Sequence, residues 1–403
     1  LRESSTGQYA GIGSPIVFRD DLKRCMFSDP YPDMPAGRAG VRTGDIVWRI
    51  DSLDMVMAKG ESQQDFLSRV TNCLRGEAGT AFQLCVKRPW VEDSMLTFTL
   101  KRELIERPTV VHTHITADSI GYIKLESYML STTREVKQAI LELKQKGMKK
   151  LVLDLRGNGG GLMDQAVGVV GLFMPRGTKV VETKGKVGWS NESSLTEDLP
   201  VDLKMPLVVM VDEATASSAE ITAGALQDYD RAVIVGQRTY GKGLVQTSRE
   251  LPYQALLKLT VSKYFIPSGR CVQAYKYENG EPVYQPDSVA QTFYTRNGRP
   301  VKDGGGIMPD VVLKDSVMPE FMYALTYDYR FVDFVVKYRN THPAIARAAT
   351  FEFTDADFEA FKRFMVERGF TFKPQVQDVF ELLEKLAEKQ GVEVDLMPDD
   401  FTA

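Results

Sequence analysis

The residues whose types and spacing best suit chemistry are Ser217 and Lys242. The apolar run 207–211 predicts a buried strand, and the small residues 214–220 lead from it into a helical pattern over 221–226. A serine at such a turn holds its hydroxyl on a rigid support, and free backbone N–H groups at the start of the helix point the same way. This environment is typical of a nucleophile.

A serine hydroxyl needs a group that takes its proton, and Lys242 is the candidate base in this sequence. The three histidines, which would be the usual bases, lie in no recognisable motif. Lysine serves as a base where burial disfavours its charged ammonium. Lys242 lies between Gly241 and Gly243 after the apolar run 232–236, in a loop whose backbone can bend sharply and be approached closely.

Both residues also have a plain structural interpretation. A serine in a turn of small residues is commonly a helix N-cap or a packing residue. A lysine in a glycine-rich loop is commonly solvated. Residue types and spacing alone therefore leave the catalytic and the structural interpretations of Ser217 and Lys242 both open.

Four strings of residues, taken in order, resemble the C-terminal processing (tail-specific) peptidases of family S41. The strings are 154–162, 214–226, 241–246 and 298–310, the last with its Gly-Arg and Gly-Gly-Ile-Met-Pro-Asp segments. The match extends over about residues 7–313. Four ordered motifs are far more specific than any one of them alone.

The resemblance implies a role for each matching side chain. Ser217 is implied to be the nucleophile, neutral Lys242 the general base, and Gln246 the residue that orients the lysine amine. The interval 242 − 217 = 25 fits the family pattern. The family often alternates Ser and Ala here, whereas this chain has Thr-Ala-Ser-Ser-Ala-Glu, so Ser218 remains a rival nucleophile.

A glycine run, 157–161, follows the predicted strand 151–155 and precedes a predicted helix over 163–173. It lacks the Gly-Lys-Ser/Thr ending of a phosphate-binding loop and the spacing of a dinucleotide fingerprint. The remaining structural alternative is that the glycine run only forms the turn between the strand and the helix. By the resemblance, the run forms an oxyanion hole, in which the N–H groups of Gly160 and Ser218 hold the developing negative charge.

Residues 105–315 are predicted to form the α/β core that carries these loops. A helix that opens on a capping-box spacing and ends near Gly147 lies between two predicted strands, 120–125 and 151–155. This order predicts a crossover and a parallel strand pair. The resemblance implies a β-α-β peptidase core of the ClpP/crotonase-like type. Residues 275–294 are polar and aromatic and are predicted to form an irregular loop.

Residues 8–104 are predicted to form a small β-rich module with a helix over 63–74. The string Ala-Gly-x-x-x-Gly-Asp at 39–45 resembles a PDZ domain. The resemblance implies that a protein C-terminus is captured as an added strand, with backbone N–H groups presented to its terminal carboxylate. The loop residues with this implied role are Gly11, Ile12 and Gly13. The alternative is that these glycines form only a tight turn.

Residues 316–403 are predicted to form an all-helical domain. Apolar residues recur at helical spacing over 321–338, Thr354 opens a helix that ends at Glu367, and 376–388 is amphipathic. We interpret its Tyr and Phe stripes as core or as a subunit contact rather than as a ligand site.

Composition narrows the classes of partner. Hydrophobic residues make up 43% and charged residues 26% of the chain, which is ordinary for a globular protein. The net charge of −4 carries no nucleic-acid footprint. No run approaches the about 20 apolar residues of a bilayer span. His112 and His114 share one strand face without a third ligand, so no metal and no other cofactor is expected.

The four cysteines form no Cys-x-x-Cys pair and are expected to be buried thiols. The chain shows no signal segment and begins at Leu1, from which we expect a mature or truncated form. The resemblance implies a location in the periplasm or the cell envelope.

Together these features predict a serine endopeptidase that cleaves protein substrates near the C-terminus with a Ser–Lys dyad. The alternative from another class is a non-catalytic PDZ-type scaffold on the same fold, against which Ser217, Lys242 and Gln246 argue. A Ser-His-Asp protease would need a placed histidine. The expected partners are protein or peptide C-termini and no nucleic acid, while a homo-oligomer and an adaptor protein stay open.

Overall fold

The computed structural model describes residues 8–284, 287–314, 319–327, 329–342, 344–346 and 350–390. The chain divides into two compact units. One contains Leu1–Gln8 and Glu106–Asp315, and the other contains Tyr9–Ile105 and Ser316–Ala403. The β-rich module and the helical region therefore belong to one unit, whereas the sequence separates them. The three-domain division at 8–104, 105–315 and 316–403 stays a prediction.

The β-rich module of the second unit is built on one antiparallel sheet with strand order β2-β3-β4-β6-β7. Strand β5 pairs with β4, and β1 pairs with β8. The strands are β1 (Gln8–Gly11), β2 (Ile16–Arg19), β3 (Arg24–Phe27), β4 (Ile46–Ile50), β5 (Leu53–Asp54), β6 (Ala81–Lys87), β7 (Met95–Lys101) and β8 (Glu103–Glu106), and the helices are α1 (Pro35–Ala39) and α2 (Gln63–Leu74).

The predicted helix over 63–74 is confirmed as α2. The Ser62 side chain accepts a hydrogen bond from the Asp65 N–H, which caps the first turn of the helix. Phe66, Val70 and Leu74, at four-residue spacing, are buried in the core of the module. This apolar stripe orients α2 on one face of the sheet.

The first unit is built on a six-stranded sheet with order β22-β15-β14-β11-β10-β9, in which only β9 runs antiparallel to its neighbour. The predicted crossover is confirmed, because α3 connects the parallel strands β10 and β11. This unit also contains a second sheet, described below. The strands of the two sheets and the helices between them are β9 (Val110–Ile115), β10 (Ile120–Leu125), α3 (Thr132–Gln145), β11 (Lys150–Asp154), α4 (Met163–Gly171), β12 (Lys179–Gly185), β13 (Glu192–Leu195), β14 (Leu207–Val211), α5 (Ser218–Asp228), β15 (Val233–Gly236), β16 (Leu244–Glu250), β17 (Leu256–Phe265) and β22 (Val311–Val312).

The parallel register explains why three sequence motifs meet. Strands β11, β14 and β15 lie side by side, so the loops that leave their carboxyl ends emerge at one edge of the sheet. The glycine run 157–161 follows β11, the serine turn follows β14, and the lysine loop follows β15. A second, antiparallel sheet has the order β13-β12-β17-β16, and its strand β16 begins directly after the lysine loop.

The predicted irregular loop over 275–294 is wrong in part. Strands β18 (Tyr275–Glu278) and β19 (Glu281–Tyr284) form an antiparallel hairpin. Asn279 and Gly280 both have positive φ, which is the two-residue hairpin turn that Asn-Gly favours. Further on, β20 (Thr292–Tyr294) pairs with β21 (Pro300–Lys302).

The helical part of the second unit contains α6 (Glu320–Tyr327), α7 (Arg330–Thr341), α8 (Asp355–Glu367) and α9 (Gln375–Gln390). The helical pattern predicted over 321–338 is therefore split, and Tyr329, with φ 64°, stands before α7. The predicted cap is confirmed, because the Thr354 side chain accepts a hydrogen bond from Asp357. No helix in the described ranges is both long and apolar enough to cross a membrane.

A buried charge cluster joins α7 to the β-rich module within this unit. Asp333 of α7 accepts hydrogen bonds from Arg19 of β2 at 2.6 and 2.9 Å. Arg368 contacts the same carboxylate at 2.9 Å. Arg19 is 3% exposed, so its buried positive charge is stabilised by the carboxylates of Asp333 and of a second partner, Asp21.

Candidate active site

Ser217 stands at the turn between β14 and α5 in a strained backbone conformation. Its φ of 56° and ψ of −121° lie in a region that residues with a side chain rarely adopt. The residue is half-buried, and α5 begins at the next position. The turn thus presents the hydroxyl at the positive end of a helix, as the sequence predicts for a nucleophile.

Ser218, the rival nucleophile, is held differently. Its side chain is 1% exposed, and its hydroxyl donates a 2.9 Å hydrogen bond to the carbonyl oxygen of Gly161. As the first residue of α5 it has no intrahelical acceptor for its own N–H. Ser218 can therefore offer a backbone donor, but its hydroxyl is committed to the glycine loop.

Glu220 ties the serine turn to the lysine loop. Its Oε2 accepts hydrogen bonds from the N–H of Ser217 at 2.9 Å and from the N–H of Lys242 at 2.8 Å. Its Oε1 accepts from the Gly241 N–H and the Thr239 hydroxyl. The carboxyl is fully buried, and this burial raises its pKa, although the four donors act in the opposite direction.

Tyr264 of β17 makes a second bridge between the same two residues. Its hydroxyl lies 2.6 Å from the Lys242 carbonyl oxygen and 3.2 Å from that of Ser217. Burial raises the pKa of this phenol well above its usual value, so it stays a hydrogen-bond donor. The backbones of Ser217 and Lys242 are therefore fixed to each other by two buried side chains.

The side chains of Lys242 and Gln246 are less constrained. Lys242 is half-buried, and within the described ranges its amine has no hydrogen bond to Ser217 Oγ or to Gln246. Gln246 is exposed and lies two residues along β16, which rises by about 3.3 Å per residue away from the loop. The structure brings the backbone of Lys242 to Ser217 but does not bring Gln246 to Lys242.

The glycine loop packs directly against the serine turn. A Cβ on Gly160 would lie 2.6 Å from Ser217 Cβ and 2.9 Å from the Ser218 nitrogen. The Ala216 N–H donates to the Asn158 carbonyl oxygen at 2.9 Å. The space in front of the Ser218 N–H therefore exists only because residue 160 has no side chain.

The oxyanion role of the Gly160 N–H stays a prediction, and in this structure the N–H already has an acceptor. That N–H donates to Asn158 Oδ1 at 2.9 Å. The physical reason is an Asn side chain that accepts from the backbone two residues ahead, a short-range turn that asparagine favours. Asn158 is itself fixed, since its amide donates to the Leu125 carbonyl oxygen.

A second buried carboxylate supports the glycine loop from the end of β11. Asp154 accepts hydrogen bonds from the Tyr122 hydroxyl at 2.6 Å and from the Arg156 guanidinium at 2.7 Å. Burial alone would raise the pKa of Asp154, but these donors outweigh it and lower the pKa to about 2. Asp212, at the end of β14, accepts from the Gly157 N–H at 2.9 Å.

The predicted peptide-binding loop lies in the other unit. Gly11, Ile12 and Gly13 are buried and lead into β2, an edge strand against which α2 packs through the rings of Phe18 and Phe66. Among the residues that the structure describes, the N–H groups of Ile12 and Gly13 have no hydrogen-bond acceptor. A loop with free N–H groups before an edge strand suits a carboxylate at the end of an added strand.

Two further predictions concern metal and thiol chemistry. No group of three or more His, Cys, Asp or Glu that could hold a metal occurs among the described residues. His112 and His114 are exposed on β9, with their rings stacked at 6.4 Å. All four cysteines are free thiols. Cys25 and Cys85 are buried as expected, whereas Cys73 and Cys271 are only half-buried.

Sequence reasoning assigned no role to Glu220, Tyr264 or Asn158. The Ser-x-x-Glu spacing from Ser217 is a capping-box signal that could have identified Glu220. Nothing local marks Tyr264, because it reaches the site from a strand 22 residues beyond Lys242.

The parallel sheet and the strained serine turn define a class of α/β proteins that place a serine where a strand turns into a helix. Comparison with known families narrows this class. Residues 119–283 match the model of peptidase family S41, and residues 321–400 match the C-terminal helical domain of a probable PDZ-protease. The chain belongs to peptidase family S41 and combines its core with a PDZ-like domain and a C-terminal helical domain.

Individual relatives agree with this assignment. The chain is 34% identical over 293 residues to a probable CtpA-like serine protease of Staphylococcus aureus strain N315, covering 72% of this chain and 55% of the relative. It is 33% identical over 298 residues to the one from Staphylococcus haemolyticus, covering 72% and 57%. The chain thus spans about half the length of the curated relatives it matches. Among solved structures, it is similar to the photosystem II D1 C-terminal processing protease, with 29% identity, coverage of 79% and 76%, and a TM-score of 0.41.

Proposed function

We propose that this protein is a serine endopeptidase that cleaves polypeptides near their C-termini, with Ser217 as nucleophile and Lys242 as general base. The observation that carries the proposal is the buried Glu220 carboxylate, whose Oε2 accepts from the N–H groups of both Ser217 and Lys242. This shared acceptor holds the two residues in one site although 25 positions separate them (242 − 217). Membership of family S41 supports the same assignment.

In the proposed reaction, the neutral amine of Lys242 takes the proton of the Ser217 hydroxyl as Oγ attacks the scissile carbonyl carbon. The resulting oxyanion accepts a hydrogen bond from the Ser218 N–H at the start of α5. The C–N bond then breaks, and the protonated lysine gives its proton to the leaving amine. Water, deprotonated by the same lysine, hydrolyses the acyl-enzyme ester and regenerates Ser217.

The roles of Gln246 and Gly160 belong to the same proposal. Hydrogen bonds between catalytic groups commonly tighten only when substrate is bound, so Gln246 would reach the Lys242 amine in the complex. Gly160 would serve as second oxyanion donor by exchanging Asn158 Oδ1 for the substrate oxygen. The PDZ-like domain would hold the substrate C-terminus at Gly11, Ile12 and Gly13.

The test uses an unstructured polypeptide with either a free or an amidated C-terminus, incubated with the wild-type chain and with Lys242→Ala. We expect cleavage of the free-carboxylate substrate, slower cleavage of the amide by at least about tenfold because a charge-assisted contact is lost, and none with Lys242→Ala. Equal cleavage by wild type and Lys242→Ala would refute the base. Equal rates for acid and amide would refute C-terminal recognition, and no cleavage by a folded wild type would favour the non-catalytic scaffold.

A further inference from the structure

Strands β16 and β17 form a ribbon that extends beyond the packed core. In the order β13-β12-β17-β16, strand β16 is the edge, and no described strand pairs with its open side. Ser262 and Tyr264 of β17 are buried, whereas positions 256–260 are exposed on both faces of the ribbon. A two-stranded ribbon without a further layer is only marginally stable in water, so this segment gains from a partner.

Residues along β16 alternate between bonding to β17 and facing outward, and this alternation, here called the hydrogen-bond phase, shows which main-chain groups face the open edge. Leu251 donates its N–H to the Ala255 carbonyl oxygen at 2.8 Å, so the main-chain N–H of Leu251 faces the partner strand within the ribbon. Antiparallel pairs alternate along the register, and therefore Arg249 and Thr247 also bond to β17. The intervening residues, of which Ser248 is the central one, direct their N–H and C=O groups outward.

This open edge is continuous with the proposed catalytic residues. Strand β16 begins two residues after Lys242. Strand β17 carries Tyr264, whose hydroxyl contacts the carbonyl oxygens of Lys242 and Ser217. A polypeptide segment lying along β16 would therefore reach the site beside Ser217.

One face of the ribbon carries apolar side chains in place of a covering layer. Leu257 and Leu259 are 40% and 43% exposed and alternate onto the same face. Arg249 lies opposite Leu257 in the register, and its guanidinium is 5.8 Å from the ring of Trp189, which is 63% exposed. Together Trp189, Leu257 and Leu259 form an exposed apolar strip beside the open edge.

We propose that an extended segment of the substrate polypeptide adds as a strand to the open edge of β16 and lays apolar side chains over Trp189, Leu257 and Leu259. This inference rests on the proposed peptidase function and names the substrate class, which is unfolded chain with apolar segments. Main-chain hydrogen bonds tolerate many sequences, whereas the apolar strip selects among them. Most strands of a folded protein already pair with neighbours, so an unfolded segment adds to this edge more readily.

The test exploits the hydrogen-bond phase. Ser248→Pro removes one outward N–H but none of the bonds within the ribbon, and proline is tolerated on an edge strand in this orientation. Ser248→Ala, which keeps the N–H, is the matched control, because the serine side chain has no part in the proposal. The double variant Leu257→Ser/Leu259→Ser tests the strip without altering the main chain.

Two readouts separate this inference from the proposed function. The first is kcat/KM for an unfolded polypeptide with an apolar segment, and the second is acylation of Ser217 by a small activated ester, read by peptide mass mapping. We expect Ser248→Pro and the double variant each to lower kcat/KM at least about tenfold, chiefly through KM, while Ser248→Ala stays near wild type. The ester should still acylate Ser217 in all variants, because it does not extend to β16.

Wild-type kcat/KM in both Ser248→Pro and the double variant would overturn the inference while leaving the peptidase proposal intact. Loss of acylation along with cleavage in both would also overturn it, because the ribbon would then act only by supporting the site. Failure of the wild-type chain to be acylated at Ser217 would instead overturn the proposed function.

Discussion

Two adjacent serines with the same hydroxyl group are given different chemistry by their surroundings. Ser217 has a strained backbone and a half-exposed side chain, whereas the Ser218 hydroxyl is buried and bonded to Gly161. Strain of this kind costs about 1–3 kcal/mol and persists only where neighbours over-determine it. Here Glu220 and Tyr264 hold the backbone N–H and C=O of Ser217.

Glu220 should act as a positioning residue. In Glu220→Gln, an NH2 group replaces one of the two acceptor oxygens, so the side chain must lose either the bonds from the Ser217 and Lys242 N–H groups or the bond from the Gly241 N–H. We expect kcat to fall by about 10- to 1,000-fold, with KM little changed, by analogy with loss of one oxyanion donor. The measurement is steady-state cleavage of a short peptide, with the exposed Glu213→Gln as control.

If Glu220→Gln retained wild-type kcat, the carboxylate would have no positioning role. If the variant failed to fold, Glu220→Asp would decide the matter, because a shortened carboxylate keeps the acceptors and should recover part of kcat.

At the scale of elements, the parallel sheet brings the loops of the site to one edge, and contacts between the loops fix the positions of the site residues. Parallel strands could be predicted from the β-α-β pattern, and with them the meeting of the glycine run, Ser217 and Lys242 at one edge. The contacts of Tyr264 and of Asn158 Oδ1 could not, since both depend on how separate segments settle against each other. The hairpin that begins at Tyr275 was predictable, because Tyr275 and Tyr277 alternate with charged residues and Asn279-Gly280 favours a two-residue hairpin turn.

The glycine loop offers a matched pair of substitutions. Gly160 has φ of +92°, and an added Cβ would lie 2.7 Å from the Ala216 carbonyl oxygen and close to Ser217 and Ser218. Gly159 has no atom within 4 Å of such a Cβ and no positive φ. We expect Gly160→Ala to lose at least about 100-fold in kcat/KM, as for a removed oxyanion donor, and about 1–3 kcal/mol of stability from backbone strain.

Gly159→Ala, assayed beside it by peptide cleavage and thermal denaturation, should remain close to wild type. Comparable activities for the two variants would mean that the space beside Ser217 is not used in the reaction.

At the scale of the whole molecule, one of the two compact units contains a buried ion pair that connects its parts. In the unit that combines the β-rich module with the helices, Asp333 neutralises Arg19 in a buried position. A buried ion pair is costly to break from one side, because the remaining charge loses its buried partner, and Arg19 would keep only the exposed carboxylate of Asp21.

Asp333→Ala should therefore destabilise this unit by about 3 kcal/mol. The readout is the denaturation midpoint, and the control is Glu359→Ala, which removes one side of an exposed ion pair with Lys362 and should change stability by less than about 1 kcal/mol. Equal midpoints for the two variants would show that α7 is not held to the module through this carboxylate.

The assignment of Ser217 as nucleophile is tested by cleavage of an unfolded polypeptide by Ser217→Ala beside Ser218→Ala, with both variants shown to be folded. We expect no detectable cleavage by Ser217→Ala and substantial cleavage by Ser218→Ala, because only the backbone N–H of Ser218 takes part. An active Ser217→Ala together with an inactive Ser218→Ala would show that Ser218, and not Ser217, is the nucleophile.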